Sequence, residues 1–101
     1  MAKELVPPSM IEMAARRFKL LSEPVRLELL NRLQVSGEMN VQELVEATGY
    51  QQANVSKHLL LMAREGVLSR RKEGLNVYYG IEDPSISGLC MLVCGQLRQG
   101  S

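Results

Sequence analysis

The sequence predicts a mainly α-helical domain carrying one β-hairpin, in the order α-α-α-α-β-β-α. Three observations predict it. Apolar residues recur at helical spacing in five runs separated by proline or glycine. Between residues 67 and 81 two β-rich stretches flank a Gly-containing loop. A length of 101 residues suits a single domain and leaves little room for a second. The apolar fraction of 46% with 23% charged residues is that of a globular chain. Apolar stretches fall short of a membrane span, and no secretory core follows Lys3, so a soluble cytoplasmic protein without a membrane partner is expected.

Each element has its own local reason. Residues 1–8 form an arm ending at Pro7-Pro8, and Ser9 with Glu12 three residues on predicts a capping box. Ile11, Ala14, Ala15, Phe18 and Leu21 then line one face of a first helix. Ser22-Glu23-Pro24 restarts the chain, since proline belongs in a first helical turn. Val25, Leu27, Leu29, Leu30 and Leu33 make a second, central helix that Gly37 stops. Asn40 and Glu43 predict a capping box for a short third helix through Leu44, Val45 and Ala47. After Gly49-Tyr50 a fourth helix runs from about Gln51 to Arg64 or Glu65. The stretches 67–72 and 77–81 pair as the hairpin. Asp83-Pro84 opens a last helix over residues 84–98.

Residues 41–65, a short helix, a glycine turn and a longer helix with a polar start, have the helix–turn–helix pattern. In that motif the first turns of the second helix enter the major groove. Gln51, Gln52 and Asn54 suit adenine edges, Ser56 and Lys57 can meet phosphate or bases, and His58 is a DNA or packing contact. The alternative is a merely solvated helix end. The hairpin weighs toward DNA contact. Arg70, Arg71 and Lys72 are consecutive, so alternation sends Arg71 to one face and its neighbours to the other. Such a run stands at the surface, either as a charged edge that resists aggregation or as a wing reaching phosphates. From Tyr50 to Ile81, Lys57, Arg64, Arg70, Arg71 and Lys72 face Glu65 and Glu73, a net +3, whereas the rest carries −2. That polarity is what a nucleic-acid footprint requires, and with the helix–turn–helix and wing it favours double-stranded DNA binding.

Four sequence blocks then resemble the bacterial ArsR/SmtB family of small winged-helix repressors. They are Ser22-Glu23-Pro24-Val25-Arg26-Leu27-Glu28-Leu29-Leu30, Val55-Ser56-Lys57-His58-Leu59, Arg64-Glu65-Gly66-Val67-Leu68, and Arg71-Lys72-Glu73-Gly74-Leu75-Asn76-Val77-Tyr78-Tyr79. The similarity runs from about residue 10 to 98. It implies a homodimer held by the first and last helices, a palindromic operator, and repression that an inducer relieves. Ile11 and Phe18 on the first helix, and Ile86, Leu89, Val93 and Leu97 on the last, are the candidate interface. Their alternative role is monomer core.

The inducer is harder to read. Where the family's metalloid site has cysteines, this chain has Asn40 and Gln42. Where its zinc-type site has Asp, His, His and Glu, this chain has Asp83, Ser85, Gln96 and Gln99, poor zinc ligands as a set. Where its thiol sensors have a cysteine in the second helix, this chain has Asn31. Cys90 and Cys94, i and i+4 on the last helix, remain as the effector candidate. They serve either thiol oxidation by oxidants or reactive sulfur, or binding of a soft metal or metalloid; otherwise they are small packing residues. A direct disulfide within the helix is strained, because i,i+4 Cβ atoms lie ~5–6 Å apart and a disulfide wants ~3.5–4.5 Å. No other cofactor is expected. Enzymatic readings fail: the lone histidine, His58, lacks a nucleophile on its face, and no phosphate loop or HExxH motif exists. The rival class is a winged-helix module that binds an acidic protein partner through its hairpin.

Overall fold

The computed structural model describes residues 5–100, with helices α1 (Pro8–Leu21), α2 (Pro24–Ser36), α3 (Val41–Thr48), α4 (Gln52–Arg64) and α5 (Pro84–Gly100). Strands β1 (Met39–Asn40), β2 (Leu68–Glu73) and β3 (Asn76–Ile81) form one antiparallel sheet in the order β1-β3-β2. β1 is a two-residue strand that periodicity cannot reveal; it joins the entrance of α3 to the hairpin by pairing Met39 with Tyr79 and Asn40 with Tyr78.

Local chemistry explains the boundaries. The Asn40 box forms as expected: Asn40 Oδ1 accepts from the Glu43 N–H at 2.8 Å, and the Asn40 N–H donates to Glu43 Oε1 at 2.9 Å. The Ser9–Glu12 box does not. Pro8 is already helical, Pro7 takes the cap position without a side-chain bond, and its carbonyl accepts from the Met10 and Ile11 N–H groups. Two fixed proline φ angles therefore start α1 two residues earlier than a Ser9 cap would. The remainder of the expected arm, residues 1–4, lies outside the described residues. At the hairpin tip Gly74 takes φ +61° in a two-residue loop between Glu73 and Asn76. Positive φ at this first loop position is what a type II′ turn demands.

The core is built around α2. Leu29, Leu30 and Leu33 pack with Leu44 of α3, Val55, Leu59 and Met62 of α4, and Val67, Leu68 and Tyr79 of the hairpin. Each such buried side chain contributes roughly 1.5–3 kcal/mol. One residue expected at an intermolecular face belongs here instead: Ile86 is 1% exposed. The Glu82 and Asp83 N–H groups both reach the Val67 carbonyl, which draws the first turn of α5 onto the domain and buries Ile86. Beyond that turn α5 leaves the body. Leu89 is only half-buried, and Leu92, Val93 and Leu97 are exposed. α1 is similar, burying only Leu20 and Leu21 while Met10, Ile11, Met13 and Phe18 stay exposed. The splayed helices make the chain elongated, at 47 × 35 × 21 Å with a radius of gyration of 14.9 Å, against about 13 Å for a compact domain of this length. No described helix is long and apolar enough to cross a membrane.

Candidate nucleic-acid interface and thiol groove

α3, the left-handed Gly49 (φ +79°) and α4 form the helix–turn–helix. Two contacts outside the motif orient it. The Tyr50 hydroxyl donates to Glu28 Oε2 of α2 at 2.6 Å, which pins the turn and raises the Tyr50 pKa through that bond. Arg26 of α2 donates from Nε to His58 Nδ1 at 3.1 Å and from Nη1 to the Leu20 carbonyl at 3.0 Å. One guanidinium thus ties the end of α1 to the middle of α4.

The polar head of α4 separates accordingly. Gln51, Gln52 and Lys57 are exposed, Asn54 and Ser56 half-buried, and Gln51 makes no side-chain cap, so its amide is not spent on the helix end. His58 departs from the expectation of groove contact: it is 5% exposed and turned toward α2. Accepting at Nδ1 fixes it as the neutral Nε2–H tautomer. Burial, reinforced by Arg26 and Lys57 and opposed by Glu23, lowers its pKa.

The wing also divides. Leu68, Arg70 and Lys72 share the face of Tyr79 and Val77, with Arg70 Nε donating to the Tyr79 hydroxyl at 3.2 Å. Arg71 lies on the opposite face, over the Tyr78 ring at 4.8 Å. There its guanidinium meets Glu38, at 3.0 Å from Nη2, and also Glu73. Alternation predicted the split of faces. It could not predict Glu38, which lies 33 residues away and reaches the wing only because β1 joins the sheet.

Cys90 and Cys94 line a groove of about 240 Å³ between α2 and α5, with Leu27, Asn31, Gln34, Met91, Gly95 and Arg98. Cys90 is half-buried, and burial, with Cys94 nearby, raises its pKa. Cys94 is exposed. The positions compared with other sensor sites serve structural ends. Asn40 caps α3, Gln42 bonds Glu46, and Asp83 caps α5 through Ser85 while pairing with Arg17. Hydrogen bonds from Ser85 and the charge of Arg17 lower the Asp83 pKa. Among the described residues, no three of His, Cys, Asp or Glu gather as metal ligands.

Comparison with known proteins agrees with this geometry. Residues 23–70 match the family model described as bacterial regulatory protein, arsR family. The transcriptional repressor PagR of Bacillus anthracis is 34% identical over 83 residues, 82% of this chain and 83% of PagR. The chain belongs to the ArsR family. Two ArsR-like structures align over 99% of it: the antimony-specific repressor AntR, at TM-score 0.90, 27% identity and 90% of its own chain, and the homodimeric winged helix-turn-helix domain of Mb0332 from Mycobacterium bovis, at 0.82, 28% and 93%. This ArsR-family protein is therefore a winged helix–turn–helix of the type used in transcription regulation.

Proposed function

We propose that the chain is a homodimeric transcriptional repressor of a palindromic operator. Double-stranded DNA is read by Gln51, Gln52, Asn54, Ser56 and Lys57, with Arg70 and Lys72 of the wing on the flanking backbone. The observation that carries this reading is the joint exposure of the amide-rich head of α4 and a wing bearing Arg70 and Lys72. The apolar surface of Ile11, Phe18, Val93 and Leu97, left uncovered in a single chain, supports pairing through α1 and α5. A two-fold axis then presents two recognition helices to half-sites about 34–36 Å apart or a multiple of that. His58 and Ile86 are supports in this scheme rather than contacts.

Cys90 and Cys94 receive the inducer, by thiol oxidation or reaction with reactive sulfur. Both sulfurs line the α2–α5 groove, so a change there bears on the proposed dimer helix and on α2 together. A second reading is a soft metal or metalloid at the same thiols, favoured by Met91 as a further sulfur in that groove and by the likeness to AntR.

The test is binding to a duplex containing the DNA upstream of its own coding region, across a salt series. Lys57→Ala and Arg70→Ala are expected each to flatten the slope of log affinity against log salt by about 1.8, one contact of ~0.9 lost from each protomer of the dimer. Unchanged affinity in the double variant refutes the assigned face. Salt-independent or absent binding to DNA favours a protein-interaction module. Operator affinity is then compared for reduced, oxidised, polysulfide-treated and arsenite- or antimonite-treated protein, with Cys90→Ser and Cys94→Ser alongside. Equal affinities remove the sensor.

A further inference from the structure

The wing carries three consecutive cations, yet one of them is already held by carboxylates. Arg71 receives Glu38 edge-on: Nε lies 3.2 and 3.3 Å from its two oxygens and Nη2 3.0 Å from Oε1. Glu73 binds Nη1 from the other side, and the Tyr78 ring lies against one face at 4.8 Å. The fork of donors that would grip a phosphate is therefore filled in the free protein. The sheet is shaped for this contact. Gly80 lies beneath Glu38, and a Cβ there would stand 3.1 Å from Glu38 Cγ. Counting Glu38 and Glu73 with Arg71, the outer face of the wing carries −1, whereas Arg70 and Lys72 lie on the other face.

We propose that Glu38 is an autoinhibitory competitor of DNA phosphate for Arg71. Its carboxylate occupies the guanidinium in the position a backbone phosphate would take, so the wing binds DNA through Arg70 and Lys72 and withholds a third contact. Because phosphate contacts carry no base identity, the brake lowers affinity for every duplex alike. It keeps the repressor's DNA affinity below what its cation count allows, and so within reach of release. This inference rests on the DNA-binding reading above.

The experiment measures binding of wild type, Glu38→Gln, Arg71→Ala and the double variant to an upstream-region duplex and to an unrelated duplex, across a salt series. Glu38 and Arg71 are exposed, so all four proteins are expected to fold, as a thermal melt verifies. Glu38→Gln is expected to steepen the salt slope by about 1.8 and to raise affinity for both duplexes about thirtyfold at ~0.15 M salt, the effect of one added phosphate contact in each protomer of the dimer. Arg71→Ala alone leaves the wild-type slope unchanged, and the double variant returns to it. A gain that persists in the double variant means that Glu38 acts only through its charge at a distance, which overturns competition for Arg71. So does weaker binding by Glu38→Gln, which means the pair merely holds the wing in place. Wild type that binds no duplex overturns this proposal and the DNA-binding reading together, whereas wild type that binds beside an inert Glu38→Gln overturns this one alone.

Discussion

Arg26 is the most consequential side chain that joins the recognition helix to the rest of the fold. Replacing it by methionine keeps length, helix propensity and apolar stem but removes both donors. The 3.0 Å bond to the Leu20 carbonyl and the 3.1 Å bond to His58 Nδ1 are lost together. Hydrogen bonds with a charged partner contribute about 1.5–3 kcal/mol each, and an acceptor left unpaired in a buried site costs a similar amount. The Leu20 carbonyl, near the end of α1, can recover water. His58, buried among α2 and α4, cannot. The expected loss is therefore about 2–4 kcal/mol, a large part of the ~5–15 kcal/mol that holds such a domain folded. Urea unfolding at fixed protomer concentration measures it, since dimerisation would otherwise shift the midpoint. Arg26→Lys, whose single nitrogen cannot sit against both acceptors as Nε and Nη1 do, should recover about half. Titration supplies an independent reading. The folded-state pKa of His58 lies below its unfolded value of about 6.5, so the unfolded chain binds the proton first. Its contribution is complete above that value and falls as pH drops through it toward the folded pKa. Arg26→Met removes one of the cations opposing protonation and should flatten the stability–pH curve in that window. A variant within 0.5 kcal/mol of wild type and with an unchanged curve refutes the strut.

Ile86 and Leu97, both expected on one face of α5, should behave oppositely. Ile86→Ala, at 1% exposure, costs about 2–5 kcal/mol of stability, whereas Leu97→Asp leaves the protomer folded and shifts the sedimentation profile from dimer to monomer. Equal behaviour contradicts the division of α5 into a buried first turn and an open remainder. For the thiols, iodoacetamide near pH 7.5 should label Cys94 well before Cys90, because Cys90 is half-buried with a raised pKa and thiolate is the reactive form. Mass spectrometry after timed quenching reads the order, and equal rates contradict it.

The parts of this molecule legible in the sequence are those set by neighbours along the chain. Asn40 and Glu43 are three residues apart, so their box could be written down before any fold existed. The same holds for Pro24 in the first turn of α2 and Gly49 after α3. Blocks of helical spacing and one short hairpin sufficed for the architecture, because element type and order follow from local spacing and breaks. What failed was partition among stripes. Ile86 and Leu97 have the same residue class and helical face, and only the Val67 carbonyl, which captures the start of α5, separates core from surface. His58, expected as a DNA or packing contact, was left between the two for a related reason: its packing rests on Arg26, 32 residues distant, and no local pattern announces that pair. Glu38 was invisible as a wing residue because a two-residue strand delivers it.

These long-range contacts converge on α2. Leu27, Asn31 and Gln34, spaced i, i+4 and i+7, present one face to the thiol groove, while Arg26 and Glu28 flank that face and hold His58 and Tyr50 of the DNA-binding half. Leu29, Leu30 and Leu33 pack this helix tightly, so a displacement at the groove, carried by a rigid α2, would reach both polar contacts. Coupling by that route makes a prediction separate from affinity. Tyr50→Phe removes only the hydroxyl bonded to Glu28, leaving the ring and the exposed head of α4 in place. Operator affinity of the reduced protein should change little, but the fold-loss of affinity on thiol oxidation should shrink, because one of the two polar links from α2 to the motif, beside the apolar core, is cut. Glu28→Gln weakens the same link from its other end and should shrink the loss in the same direction. A full response in both variants excludes the Tyr50 link and leaves Arg26, or the dimer geometry alone, to carry the signal.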